Sequence, residues 1–305
     1  MSTWRSLLGR LGYRKGKAIR RRFRFGALVA VGVFAVLSTT ALASDTPVRV
    51  LTTAFPNLPK PTIVLVHGGW ADGSSWDKVI ANLQGEGYTV DAPPNPLRGL
   101  TSDSAYLASY LSTISGPIVL VGHSVGGMII SNAATGNPNV KGLVYVDAFE
   151  PAAGETVAQL TFSRPGSCLS GGGDLNNVFN FKVDPSQPSG DYDVYLKIAP
   201  GTNYAGFGAC FATFVPGGHA AVLGAVQRPI ALGFITAQSG TPAWTSIPSW
   251  AVIGTQDHVI PPAELTFMAQ RANSHITYVD AGHLSMVTQA DAVAGVITEA
   301  AIAAG

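Results

Sequence analysis

Charge is scarce in this chain. Asp, Glu, Lys and Arg make up 12% of 305 residues, against 47% hydrophobic ones. That balance excludes an intrinsically disordered segment and supplies enough apolar side chains for a large buried core. Acid is missing altogether from residues 1–43, which hold nine of the 19 basic residues; the remainder carries 10 basic against 18 acidic residues. A mildly acidic body has no electrostatic reason to bind nucleic acid or anionic lipid. The chain has no Gly-x-Gly-x-x-Gly after a strand-like run, no phosphate-binding P-loop and no Cys/His metal spacing. Dinucleotide, nucleoside-triphosphate and structural-zinc chemistry therefore have no footing, and neither a cofactor nor a metal is expected. A clearly apolar run of about twenty residues, the length of a membrane span, is also lacking. The longest stretch, residues 26–43, is interrupted by Ser38, Thr39 and Thr40. Cysteine is reduced to one pair, Cys168 and Cys210.

The basic head reads as an export signal. A cationic segment ends in Arg20-Arg21-Arg22-Phe23, an apolar run follows from Ala27 to Leu37, and Ala41-Leu42-Ala43 matches a small-x-small cleavage site. The arginines resemble the twin-arginine export motif, with the general route as the alternative. Cleavage near Ala43 implies a secreted or cell-envelope protein with no stable membrane anchor. In an oxidising compartment Cys168 and Cys210 are expected to pair. Closing a loop of that length stabilises by about 4 kcal/mol in the chain-entropy model.

Beyond Ser44 strand-like and helix-like patterns alternate, after an extended segment at Val48–Phe55. Thr62–Val66 is a continuous aliphatic run bounded by Pro61 and Gly68, suited to a strand buried on both faces. Ser74–Leu83 has helical spacing with Ser74 or Ser75 as N-cap. Tyr88–Val90 reads as a strand, Ser102–Ile114 as a helix, Ile118–Val121 as a strand, Val125–Ala134 as a helix and Val140–Val146 as a strand. The alternation breaks over residues 148–245, rich in Gly, Pro, Asn and aromatics. It resumes with Trp250–Gly254, Pro262–Arg271, His275–Asp280 and Gln289–Ala303. This order predicts a doubly wound, mainly parallel α/β sheet built from residues 44–147 and 246–305. Residues 148–245 would form an inserted cap, with a helix near Ala220–Ala231.

Gly122-His123-Ser124-Val125-Gly126 matches Gly-x-Ser-x-Gly, directly after one apolar strand and directly before a helix. Alone the motif is weak; in that context it marks a sharp turn that exposes a nucleophilic serine. His67-Gly68-Gly69-Trp70 follows the first strand. The N–H groups of Gly69 and Val125 are the natural donors for an oxyanion hole. A serine needs a base, and the base an orienting acid. His283, in the loop after the last strand, fits better than the other five histidines. Asp257, after Trp250–Ile253, is the expected acid, and Asp147, at the end of Val140–Val146, is its rival. Asp147, His123 and Trp70 are otherwise candidate pocket residues.

The segments HGGWADGSSW, PPNPLRG, GHSVGG, VKGLVYVDAF, QRPI, IPSW, GTQDHVIPP and DAGHLSMV resemble the bacterial branch of the α/β-hydrolase superfamily. That branch is similar to the plant methyl-ester esterases and hydroxynitrile lyases. The resemblance spans about residues 61–303 and implies the same roles for Ser124, Asp257, His283, Gly69 and Val125. The Gly-rich cap with its cysteine pair, and Asp147 where small residues are common, depart from the pattern. Serine at the elbow argues against the dehalogenases and epoxide hydrolases of the superfamily, which use Asp there. The resemblance implies cleavage of small-molecule carboxylic esters through an acyl-enzyme. Lyase, C–C hydrolase or cofactor-free perhydrolase chemistry on the same triad is the alternative, and a ligand receptor a further one. Phe179, Phe181, Tyr192, Tyr195, Tyr204, Phe207, Phe211 and Phe214 supply the cap's aromatics, for its core or for an apolar pocket wall.

Overall fold

The computed structural model describes residues 60–185, 191–198 and 206–305. The basic head, the cleavage site and Val48–Phe55 lie outside the described residues.

Six strands form one parallel sheet. In chain order its first members are β1 (Thr62–Val66), β2 (Val90–Asp91), β3 (Ile118–His123) and β4 (Val140–Val146). β1 and β3 are aliphatic along nearly their whole length and almost entirely buried. That is the signature of strands covered on both faces. Each such Val, Leu or Ile contributes about 1.5–3 kcal/mol by leaving water. Between these strands run α1 (Asp77–Gly85), α2 (Leu100–Leu111) and α3 (Gly126–Ala133). The turn before α1 is capped by Asp72, whose carboxylate accepts the Ser74 N–H at 2.9 Å. The expected serine caps, Ser74 and Ser75, instead lie inside that turn, because a carboxylate two residues earlier takes the free donor.

After β4 the chain leaves the sheet. It forms α4 (Val157–Phe162) and a three-stranded antiparallel sheet of β5 (Phe179–Val183), β6 (Tyr192–Leu196) and β7 (Ile230–Ala231). The helices α5 (Gly217–Ala225) and α6 (Leu232–Thr236) flank β7. The helix expected near Ala220–Ala231 thus begins and ends earlier, and its last residues pair as β7. Cys168 and Cys210 are joined as a disulfide, with Cα atoms 5.9 Å apart. The chain then re-enters the parallel sheet as β8 (Ser249–Gly254), α7 (Pro262–Arg271), β9 (His275–Val279), α8 (Ser285–Thr288) and α9 (Ala290–Ala304). The strand order is β2-β1-β3-β4-β8-β9. Its neighbours are parallel throughout.

The inserted segment is tied to the sheet's rim by named bonds. Trp70 Nε1 donates to Val194 O at 2.9 Å, and Trp70 N donates to Arg228 O at 3.1 Å. Arg98 pairs with Asp193 at 2.5 Å and donates to Pro229 O at 2.9 Å. Among the described residues no helix is long and apolar enough to cross a membrane.

Candidate active site

β3 delivers Ser124 at its carboxyl end, immediately before α3. Ser124 has φ +53°, a left-handed backbone that costs a non-glycine residue about 1–3 kcal/mol. Its neighbours explain how the turn closes. A Cβ on Gly122 would sit 2.7 Å from Gly126 C and O, and one on Gly126 would sit 2.6 Å from Val66 O. Strand, helix and β1 approach so closely that neither position has room for a side chain.

The loop after β1 lies over this turn. A Cβ on Gly68 would meet Ser124 Cβ at 2.7 Å. The His67 ring locks the loop: Nδ1 donates to Gly68 O at 2.9 Å, and Nε2 accepts the Asn95 N–H at 3.0 Å. Asn95 Nδ2 in turn donates to His67 O at 3.1 Å. Burial pushes the His67 pKa down, so the ring is neutral in this tautomer. Asn95 is a site-supporting residue that spacing alone did not single out; its signal was the run Pro93-Pro94-Asn95-Pro96, a rigid connection after β2. The Gly69 and Val125 N–H groups have no acceptor among the described residues, Val125 being the residue that opens α3.

β8 and β9 supply the other two side chains. His283 Nδ1 donates to Asp257 Oδ2 at 2.7 Å, and both side chains are fully buried. The other carboxylate oxygen, Asp257 Oδ1, accepts from Val259 N at 2.7 Å and Ile260 N at 3.0 Å. Burial pushes Asp257 up to about 8 against the pull of those two N–H groups, and burial pushes His283 down to about 3. With Nδ1 committed, His283 Nε2 is buried and has no partner. No Ser124–His283 hydrogen bond is formed in this structure. Such contacts are often long before substrate binds.

His123 links the elbow to the His283 loop. Its Nε2 donates to His283 O at 2.9 Å, and the two rings lie 4.8 Å apart. Burial, then the neighbouring His283, hold His123 well below the ordinary histidine value. Asp147, at the end of β4 with φ +44°, does not reach His283. Its oxygens accept Gly254 N–H at 2.6 Å and Ser285 N–H at 3.2 Å, so it braces the loops that carry Asp257 and His283. Burial, and then the charge of Asp257, push it well above the usual carboxylate range. Of the three expected pocket residues only Trp70 lines a described cavity, beside Phe207, Phe211 and Leu284. His123 and Asp147 are enclosed, because the one is bonded to the His283 carbonyl and the other to two backbone N–H groups. Phe211, seen in the sequence only as one of eight cap aromatics, packs edge-on against the His283 ring, with centroids 5.2 Å apart. Among the described residues no cluster of His, Cys, Asp or Glu has the arrangement of a metal site.

A family model described as the alpha/beta hydrolase family matches residues 63–296. A carbendazim hydrolyzing esterase of Nocardioides sp. (strain SG-4G) is 33% identical over 110 residues, 32% of this chain and 46% of that protein. A pyrethroid hydrolase of Sphingobium wenxiniae is 36% identical over 118 residues, 34% of this chain and 41% of that protein. The matched segments thus span less than half of either relative. Tomato methylketone synthase I, solved with 2-tridecanone, shares the fold with a TM-score of 0.63 at 20% identity. That match covers 81% of this chain and all of the plant protein.

Proposed function

This chain belongs to the alpha/beta hydrolase family, and on that premise we propose that it hydrolyses small-molecule carboxylic esters through an acyl-enzyme on Ser124. The observation that carries the reading is the His283–Asp257 bond of 2.7 Å, which leaves Nε2 as the one ring nitrogen able to take a proton. Ser124 Oγ attacks the ester carbonyl while His283 Nε2 takes its proton. The carbonyl oxygen becomes an oxyanion held by the Gly69 and Val125 N–H groups, one of them at the start of a helix. Collapse of the tetrahedral intermediate breaks the C–O bond, and His283 returns the proton to the departing alcohol. Water, activated by the same nitrogen, then releases the acid. Each half of the reaction makes one C–O bond and breaks another, with the proton carried by His283 and the charge held by the two N–H groups. The two curated relatives, an esterase and a pyrethroid hydrolase by name, support the reaction class.

The test is turnover of short-chain nitrophenyl esters together with a serine-directed phosphonate. Label on the peptide containing Ser124, and loss of both label and turnover in Ser124→Ala, are expected. Label on another peptide, or full activity in the variant, would overturn the assignment.

From the basic head, the apolar run and Ala41-Leu42-Ala43 we further propose that the protein is exported, with residues 1–43 as a cleaved signal, residues 148–245 as a cap, and the cysteine pair oxidised after export. Intact-mass analysis of secreted protein tests this. A mature start at Ser44 and a mass two hydrogens below the reduced value are expected. Retention of the basic head in secreted protein would refute the signal, and two free thiols would refute the bridge.

A further inference from the structure

The phenyl ring of Phe211 covers the candidate base. Phe211 is fully buried. Its ring centroid lies 5.2 Å from that of His283, 6.3 Å from His123 and 5.8 Å from Trp70, with Phe207 5.0 Å behind it. The cavity that Phe211 and Trp70 line holds about 10 Å³, on the order of one water molecule. Ser124 itself is 3% exposed. The ring edge lies against His283, so a group bound on that side of the imidazole meets it.

The position of the ring is set by its neighbours in the chain. Cys210 precedes it and is bonded to Cys168. Cys168 N–H donates to His258 O at 2.7 Å, and Ser167 Oγ donates to Val259 O at 2.7 Å. His258 and Val259 directly follow Asp257, and Val259 N–H is one of the donors that hold its carboxylate. One covalent link and two hydrogen bonds therefore connect the loop of the acid to the residue that covers the base. On the other side, Thr213 seats the segment on the His283 loop, since a Cβ on Gly282 would fall 2.1 Å from Thr213 Oγ1.

We infer that Phe211, held by the Cys168–Cys210 disulfide, limits the size of the alcohol that the site releases. The side follows from the chemistry, and so the inference rests on the ester-hydrolysis reading. His283 must protonate the departing oxygen, so the alcohol lies on the His283 side of the scissile carbon, where Phe211 packs. Acyl groups on the far side of that carbon are less constrained by it.

The experiment compares kcat/KM for methyl, benzyl and 1-naphthyl acetate in the full mature protein, in Phe211→Ala, in Phe211→Leu and in the double variant Cys168→Ser/Cys210→Ser. The intrinsic reactivity of each ester cancels when the naphthyl-to-methyl ratio is compared between enzymes. That ratio should rise at least tenfold in Phe211→Ala and at least threefold in Phe211→Leu and in the double serine variant. The ratio of nitrophenyl butyrate to nitrophenyl acetate should move less than the alcohol ratio. Phe211→Leu keeps most of the buried volume and serves if the alanine variant does not fold. Ester turnover with a naphthyl-to-methyl ratio within twofold of the parent in every folded variant overturns this inference alone. Parent enzyme that neither turns over an acetate nor is labelled by phosphonate at Ser124 overturns the ester-hydrolysis reading and this inference with it.

Discussion

Asp257 meets His283 through one carboxylate oxygen only, because the other is already taken. Oδ2 accepts from His283 Nδ1 at 2.7 Å, while Oδ1 accepts the Val259 and Ile260 N–H groups. The two ends of the carboxylate therefore cannot be exchanged.

Asp257→Asn turns this asymmetry against the ring. The amide oxygen must face the two backbone N–H groups, so the amide nitrogen faces His283 Nδ1. The imidazole then accepts at Nδ1 and carries its proton on Nε2, where it cannot take one from Ser124. We expect a loss on the order of 10³–10⁴ in kcat with the fold retained. Asp147→Asn leaves the His283–Asp257 bond in place and disturbs the contacts to Ser285, so its loss should be smaller, roughly tenfold or less. Steady-state kinetics of the two variants decide it; a more crippling Asp147→Asn would make Asp147 the orienting acid.

The pH profile follows from the burial of the same pair. The working form has an ionised Asp257 and a neutral His283, a net negative charge sealed from water. Burial favours one further proton on the pair, which pushes Asp257 up to about 8, and opposes a second, which pushes His283 down to about 3. Asp257 does not titrate alone, because its charge and that of the buried Asp147 carboxylate oppose each other. Activity should therefore rise with pH as the extra proton leaves, with a midpoint toward 8, and the rise should vanish in Asp257→Asn. Measuring kcat/KM from pH 5 to 10 checks this, and a midpoint at or below 6 contradicts it.

Local patterns were legible where a segment's neighbours in sequence are also its neighbours in space. Thr62–Val66 and Val140–Val146 are strands over those same residues, and Pro262–Arg271 is the helix its spacing predicts. The elbow was readable because Gly122 and Gly126 meet within one turn. The cap sheet was not. β5 and β6 are short and half-exposed and break across Asp184-Pro185, so their alternation is weak. Strand order favours Asp257 over Asp147, since its strand directly precedes that of His283, but spacing places neither carboxylate against the ring. What separates them is where β9 delivers His283. Phe211 depends on a bond between residues 42 apart in sequence, and no local pattern carries it.

Glu150 offers a stability test away from the candidate site. It is fully buried and accepts from Ser274 Oγ at 2.7 Å, near the Arg271 guanidinium and Tyr145. Burial pushes its pKa from 4.5 to about 8, against the pull of Ser274 and Arg271. A raised folded pKa contributes stability that is complete below the unfolded value near 4.5. That stability is lost as pH rises through the folded value near 8. The contribution at stake is on the order of a few kcal/mol. Glu150→Gln keeps an acceptor for Ser274 without a titrating proton. Its Tm should depend less on pH between 4.5 and 8 than that of the parent, and should exceed the parent's at pH 8. Parallel Tm curves for the two proteins would exclude a titrating Glu150.

Two glycines in helices should respond to alanine with opposite signs. Gly127 lies in α3, where a Cβ would fall 2.2 Å from Phe149 O and 3.0 Å from Ala148 Cβ. The backbone oxygen cannot swing aside as a side-chain end would, so either α3 lifts from the segment after β4 or that segment moves. Overpacking of this kind costs typically 1–3 kcal/mol and more where backbone must shift. Both segments also position the site, since Phe149 N–H donates to Ser124 O at 3.1 Å. Gly127→Ala should therefore lower both Tm and ester turnover. Gly295 lies in α9 on an exposed face, where a methyl group would find nothing within 4 Å. There alanine gains about 0.5–1 kcal/mol from helix propensity and the smaller entropy of its unfolded chain. Gly295→Ala should raise Tm by a few degrees at unchanged kcat/KM, because the added methyl meets nothing within 4 Å. Thermal melts of the two variants beside the parent check both signs. A neutral Gly127→Ala would mean that α3 does not press on the segment after β4 as closely as these distances require.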